Sequence, residues 1–252
     1  MNKINKKRLG AIILAAGKGK RMNSSDHNKV TLKLGNKPMV LHVVELFKKL
    51  KVDNIVVVVG FAKKSVIEIL KNKVIFAEQR KRLGTGHAVS CALKTLPKGI
   101  EDVLVVNGDD SAFYTKDLID KLINHHCKTD SAFTFLTIKK DEPFGLGRII
   151  RDKNENLVSV VEEKDATEEQ KKITEINTSC YIFSTKFLRK YISKIKKSRI
   201  TGEYYLTSLI GLGQKNNEKI NTLSAGNISW RGVNTKEELI EAQKLFNSGV
   251  NK

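Results

Sequence analysis

The feature that most constrains the fold is an alternation. Short runs rich in Ile and Val, at residues 9–15, 55–59, 74–77 and 103–106, are separated by segments whose apolar residues fall at helical spacing. Strands that are apolar throughout are buried on both faces, and crossover helices are what cover them. The first half therefore reads as βαβαβ, with four strands in one sheet and helices expected after Pro38, over 63–70 and over 86–96. After Pro38, Val40, Val43, Val44 and Phe47 stand at i, i+3, i+4 and i+7. From Ser131 onward the pattern changes to shorter helices and denser strands, expected at 132–138, 148–151, 157–162 and 178–183. This half is expected to build a substrate pocket. Thr167-x-x-Gln170 and Thr235-x-x-Glu238 carry capping-box spacing, and a last helix is expected over 236–246.

The chain has 252 residues, 40% hydrophobic and 29% charged, with 3 prolines and no Ser/Gly-rich linker, so one α/β domain is expected. The net charge of +19 draws phosphorylated small molecules, nucleic acid and anionic membranes alike. Its lysines lie in short scattered runs, which solvated helix faces also produce. There is no RNP aromatic motif and no zinc spacing, and aromatic residues make up 6%, so a specific nucleic-acid partner is not expected. Cys91, Cys127 and Cys180 are too widely spaced for a disulfide framework or zinc site, which fits a reducing, cytoplasmic setting. Lys3, Lys6, Lys7 and Arg8 before an apolar run imitate a secretion signal. Gly10 interrupts that run and Gly17 to Arg21 follows at once, so a buried strand feeding a loop is the expected use. No stretch approaches the roughly 18 apolar residues of a membrane helix, and no membrane partner is expected.

The sharpest local feature is Leu14-Ala15-Ala16-Gly17-Lys18-Gly19-Lys20-Arg21-Met22, a strand running into a glycine-rich, cationic loop. Glycines let backbone N–H groups converge on anionic oxygens, and neighbouring Lys or Arg adds charge-assisted hydrogen bonds. The loop fits neither GxGxxG, because Met22 holds the third glycine's place, nor the P-loop spacing. Taken alone it is compatible with an ordinary turn.

The loop resembles the nucleotide-binding signature of the sugar-phosphate nucleotidyltransferases, most of all the uridylyltransferase domain that makes UDP-N-acetylglucosamine. The series continues with Asn28-Lys29-Val30, Gly35-Asn36-Lys37-Pro38-Met39, Gln79 with Leu83-Gly84-Thr85-Gly86-His87-Ala88, and Gly108-Asp109. Gly147-Arg148-Ile149, Val161 to Ala166, Asn177-Thr178, Gly202 to Thr207 and Gly232-Val233-Asn234 complete it in order. The resemblance implies a single-domain α/β, Rossmann-like nucleotidyltransferase fold with a mixed, mostly parallel sheet and helices on both faces. Residues of about 8–130 would bind nucleotide, about 131–234 would form a smaller, strand-rich sugar-binding half, and 235–247 a C-terminal helix. The implied reaction joins a nucleoside triphosphate to a sugar 1-phosphate, with UTP and N-acetylglucosamine 1-phosphate as the leading pair, and releases pyrophosphate.

The implied roles suit the residue types. Arg21 and Lys29 would neutralise phosphate charge, and Asp109 with Asn234 would offer hard oxygen ligands to Mg²⁺. Leu14, Ala15, Ala16, Gly17 and Gly19 would hold the nucleotide, while Gln79, Gly84 and Thr85 would read the base. Gly147, Glu162, Asn177, Tyr205 and Thr207 would line the sugar. His87 and Trp230 are read as structural residues. No left-handed β-helix with acetyltransferase activity and trimer formation is expected, and the oligomeric state is open.

The chain departs from the family pattern at several points. Asn28 stands where Pro is common and Lys20 where Thr or Ser is usual, so the loop's entry geometry is expected to differ. Asn107 stands for Tyr, Asp110-Ser111-Ala112 for an apolar, Pro-containing run, Ser179 for Gly and Ser208 for Asp. These changes leave glucose 1-phosphate and dTTP open as substrates, and keep a non-catalytic nucleotide-sugar-binding regulator as a rival reading.

Overall fold

The computed structural model describes residues 8–19 and 26–248. Its first strand, β1 (Leu9–Ala15), turns Leu9, Ala11, Ile13 and Ala15 to one face and Ile12 and Leu14 to the other. Both faces therefore need a cover. A short hairpin, β2 (Lys33–Leu34) with β3 (Lys37–Pro38), leads into α1 (Met39–Lys49), whose Val40, Val43, Val44 and Phe47 are buried. Then come β4 (Asn54–Val59), α2 (Lys63–Leu70), β5 (Ile75–Glu78), α3 (Thr85–Leu93) and β6 (Asp102–Asn107). All four expected strands share one sheet, with β1 parallel to both β4 and β6 and β4 parallel to β5.

The second half contains α4 (Lys116–Thr129), β7 (Phe133–Lys139), β8 (Arg148–Arg151), β9 (Leu157–Val161), α5 (Glu168–Lys171) and β10 (Glu175–Ser184). It ends with α6 (Thr185–Tyr191), α7 (Ser208–Gln214), β11 (Ile220–Ser224) and α8 (Lys236–Asn247). The long strand β10 lies antiparallel between β6 and β7, so the sheet runs β11-β7-β10-β6-β1-β4-β5, with the β8–β9 hairpin branching from β10. Helices α1, α2, α4 and α8 bury apolar residues on one face of the sheet, and α3, α6 and α7 on the other. Both capping boxes form, with Thr167 and Thr235 each accepting from the backbone of the third helical residue. No described helix is long and apolar enough to cross a membrane.

Helix α4, capped by Thr115 accepting from the Leu118 N–H, was not among the elements expected from sequence, nor were α6, α7 and β11. Its buried Leu118, Ile119, Leu122 and Ile123 do stand at helical spacing. Two of the residues between them are charged, Asp120 and Lys121, which dilutes the apolar signal.

One departure from the family pattern has a backbone consequence. Ser179 has φ 59°, inside a bulge of β10 where pairing with β7 shifts register between Asn177 and Tyr181. A residue with a Cβ is strained in this left-handed region, and glycine is not. A hydrogen bond offsets part of the strain: the Ser179 N–H donates to Asn177 Oδ1 at 3.0 Å. Ser179→Ala, which keeps the Cβ but loses the hydroxyl, is expected to be about 0.5–1 kcal/mol less stable than Ser179→Gly. Thermal unfolding of the two variants checks this, and an alanine variant at least as stable as the glycine one would contradict it.

Candidate active site

The parallel strands β1, β4 and β6 end at one edge of the sheet, where open α/β folds place their ligands. A cavity of about 580 Å³ opens there. Leu14, Ala15, Ala16, Gly17, Lys18 and Gly19 form one wall as the chain leaves β1. Asn28 holds this wall in place. Its amide Nδ2 donates to the carbonyls of Ala15 at 2.8 Å, Gly17 at 3.2 Å and Phe61 at 2.9 Å, while its Oδ1 accepts from the Val30 N–H. Asn28 is 1% exposed, and the loop's base is thus fixed by hydrogen bonds where a proline ring is the commoner device. Arg21 and Lys20 lie outside the described residues.

The opposite wall follows β5. Gln79 is buried, and Gly84 and Thr85 open α3. This turn is stitched to the segment before α7: the Tyr204 N–H donates to Leu83 O at 2.7 Å, the Gly86 N–H to Tyr204 O at 2.8 Å, and the Leu206 N–H to Thr85 Oγ1 at 2.9 Å. Gly84 has φ 102°, and a Cβ there would meet Tyr204 O at 2.6 Å. Only glycine permits this approach.

At the floor, β6 ends in Asn107-Gly108-Asp109-Asp110. The Gly108 N–H donates to Leu14 O at 3.0 Å, and a Cβ on Gly108 would stand 3.1 Å from Val30, so the two strand ends meet without a side chain between them. Asp109 then faces Asn234, and the Lys29 ammonium sits between them. It pairs with the Asp109 carboxylate and donates to Asn234 Oδ1 at 2.8 Å. Asn234 is held at the start of α8, where its N–H and that of Thr235 both donate to Glu238 Oε2. Arg82 and Lys164 also line the large cavity, as does Glu203. Among the described residues no group of three or more His, Cys, Asp or Glu is placed to hold a metal. Asp109 and Asn234 do offer two oxygens to one cation, and the lysine ammonium shows that a positive charge fits there.

A smaller cavity of about 150 Å³ adjoins the first and shares Asn107, Asp109 and Asn234 with it. Its other walls include Gly147, Glu162, Asn177, Ser179 and Asp110. Burial raises the Glu162 carboxyl pKa, opposed by the Thr207 hydroxyl, which donates to Glu162 Oε1 at 2.9 Å. Asn177 donates from Nδ2 to the Tyr181 phenol oxygen at 2.7 Å. Asp110, 4% exposed, accepts from Asn107 Nδ2 at 3.2 Å. Arg148, buried behind this wall, pairs with Glu163 at 2.8 Å and donates to Leu146 O, fixing the turn before β8.

The structure thus brings together at the large cavity Leu14, Ala15, Ala16, Gly17, Gly19, Lys29, Gln79, Gly84, Thr85, Asp109 and Asn234. Gly147, Glu162 and Asn177 line the smaller one. Tyr205 and Thr207, expected as lining residues, line neither cavity. Thr207 stands one layer back, spent on Glu162, and the Tyr205 hydroxyl pairs with that of Thr201 at 2.7 Å. Trp230 is buried as expected, donating from Nε1 to Tyr114 Oη at 3.0 Å, yet it also lines the smaller cavity. Asn28, Arg82 and Lys164 were not anticipated as site residues. Lys164 lies inside the Val161 to Ala166 motif and Asn28 beside Lys29, so position within a motif was the available signal.

A model of the MobA-like NTP transferase domain matches residues 11–175. The chain belongs to this family. It is a nucleotidyltransferase, as the ordered motif series implies. It is 40% identical over 243 residues to the bifunctional protein GlmU of Thermoanaerobacter pseudethanolicus, covering 96% of this chain and 52% of that protein. The GlmU of Caldicellulosiruptor saccharolyticus is likewise 40% identical, over 244 residues, with 96% and 52% covered. The chain therefore spans about half the length of these curated relatives. In fold it is similar to a putative glucose-1-phosphate thymidylyltransferase from Bacillus anthracis, crystallised with sucrose. The TM-score is 0.79 at 22% identity, over 94% of this chain and 95% of that one.

Proposed function

We propose that the protein transfers a uridylyl group from UTP to N-acetylglucosamine 1-phosphate, forming UDP-N-acetylglucosamine and releasing pyrophosphate. The observation that carries this reading is the junction of two cavities at Asp109, Asn234 and Asn107, beside Lys29. A nucleotide in the larger cavity and a sugar in the smaller would bring their phosphates together there. The nucleotide-binding and sugar-binding halves would divide near residue 130. Each half lends residues to the other, since Lys164 and Glu203 line the larger cavity and Asp109 and Asp110 the smaller.

In the reaction a phosphate oxygen of the sugar 1-phosphate attacks the α-phosphorus of the triphosphate. A new P–O bond forms as the bond to the pyrophosphate oxygen breaks, and that oxygen leaves with the electron pair. No covalent enzyme intermediate is needed, because positioning and charge stabilisation supply most of the catalysis in such transfers. The glycine loop would supply backbone donors, and Lys29, with Arg21 as a proposed partner, would neutralise charge on the phosphates. Asp109 and Asn234 would hold Mg²⁺, which would offset the negative charge shared by the α-phosphate and the departing pyrophosphate. Gln79, Gly84 and Thr85 would bind the base, while Glu162 and Asn177 would pair with sugar hydroxyl and amide groups.

A second reading keeps the chemistry and changes the substrate. Asp110 places a buried carboxylate in the sugar cavity, where an acetyl methyl group would gain nothing from it, and this favours glucose 1-phosphate as the alternative acceptor. The test is pyrophosphate release with Mg²⁺ and UTP, with the two sugar phosphates supplied separately and dTTP and CTP as further arms. Release with N-acetylglucosamine 1-phosphate alone is the expected result. Release with glucose 1-phosphate alone establishes the second reading, and silence with every pair overturns both in favour of a binding-only role.

A further inference from the structure

We propose that His87 is a positioning residue for base recognition: its unprotonated Nδ1 fixes the Gln79 side-chain amide so that the carbonyl oxygen faces the nucleobase. The proposal rests on the reading that Gln79 meets the base. Gln79 is 4% exposed and lines the large cavity. Its Nε2 lies 3.0 Å from Gly84 O and 3.0 Å from His87 Nδ1.

Hydrogen-bond logic settles the orientation. A backbone carbonyl only accepts, so the amide atom beside Gly84 O is the nitrogen, and rotating the amide by half a turn would press two oxygens together. An amide nitrogen only donates, so His87 Nδ1 accepts. The imidazole is then neutral with its proton on Nε2, which faces Cys91 Sγ at 4.0 Å, one helical turn along α3. Both amide hydrogens of Gln79 are spent on Gly84 and His87. Oε1 is what remains for a ligand.

An acceptor at that point matches the N3–H of uracil or thymine and opposes the N3 lone pair of cytosine. A site that hydrogen-bonds one base edge discriminates strongly against a base whose edge leaves its groups unpaired. With His87 removed, the amide keeps only Gly84 O as an acceptor, so its orientation is held by one hydrogen bond instead of two and Oε1 is presented to the base less firmly. His87 acts through Gln79 and needs no contact with substrate.

The test compares His87→Leu, which removes the acceptor, with His87→Asn, whose Oδ1 can accept near the place of Nδ1. In His87→Leu the KM for UTP is expected to rise about tenfold and the preference for UTP over CTP to fall about tenfold, with kcat changed less than threefold. His87→Asn is expected to recover most of both losses. If His87→Leu leaves KM and base preference within twofold of the parent, or lowers kcat equally for both nucleotides at unchanged KM, the proposal is overturned. Nitrogen NMR of the imidazole in the nucleotide-free parent protein gives an independent reading, expected to show the proton on Nε2; a proton on Nδ1 overturns the proposal whatever the substrate. Failure of the parent enzyme to use UTP would instead count against the proposed function, leaving the NMR result to decide whether His87 holds Gln79.

Discussion

Replacing Asp109 by Ala or Asn is expected to lower Mg²⁺-dependent turnover by about 10³-fold or more while the far-UV circular dichroism stays unchanged. Asp109 supplies the full negative charge at the junction of the two cavities, and Asn234 opposite it supplies only an amide dipole. Asp109→Asn keeps the shape of the side chain and removes the charge that pairs with Lys29 and would hold a cation, so a changed Mg²⁺ dependence is what marks the loss as one of cation binding. The alanine variant also leaves the Lys29 ammonium with Asn234 as its remaining named partner. That ammonium borders an open cavity and can turn to water, which limits the cost to stability. Initial rates of pyrophosphate release across a Mg²⁺ titration check the assignment, and full activity in Asp109→Asn would remove Asp109 from the metal site.

Lys29→Met is expected to reduce kcat by about 10²-fold and, in the protein without nucleotide, to strengthen binding of a divalent cation. The two effects have one origin. Lys29 places its ammonium between Asp109 and Asn234, the two groups proposed to hold the metal. In the free protein the lysine and a divalent cation would therefore compete for the same oxygens. When a triphosphate is present its oxygens offer the lysine another partner, and the charge that had occupied the site becomes available to the phosphates. Methionine keeps the length of the side chain without its charge. Mn²⁺ binding followed by electron paramagnetic resonance, with and without UTP, separates the two functions. An unchanged Mn²⁺ affinity in nucleotide-free Lys29→Met would show that the lysine does not stand in the metal's place.

Much of the first half was legible because its signals are local. The apolar runs of β1, β4 and β6 and the helix over 63–70 were read within a residue or so of their observed limits. Both capping boxes formed as their spacing required. What stayed hidden depends on contacts distant in sequence. β11 (Ile220–Ser224) is only partly buried at the outer edge of the sheet and makes sense only beside β7. Thr207 and Tyr205 belong to a motif close to the site, but no sequence pattern says that one hydroxyl is spent on Glu162 and the other on Thr201. The substitution at Asn28 looked like a disturbance of the loop, and its side chain is in fact the clamp that shapes it. His87 looked structural, which is correct of its own contacts, yet the residue it contacts faces the cavity.

The position of β10 has a consequence for how the chain is made. β6 has β1 on one side and β10 on the other, and β10 follows only after α4, β7 and the β8–β9 hairpin have been synthesised. At translation rates of about 5–20 residues per second, the growing polypeptide carries β6 for several seconds with one row of backbone donors and acceptors unsatisfied. The half that carries the glycine loop completes its sheet only by accepting a strand from the half that carries Glu162. It is therefore not a detachable module, and exchanging second halves between relatives would have to carry β10 across with its β6 partner.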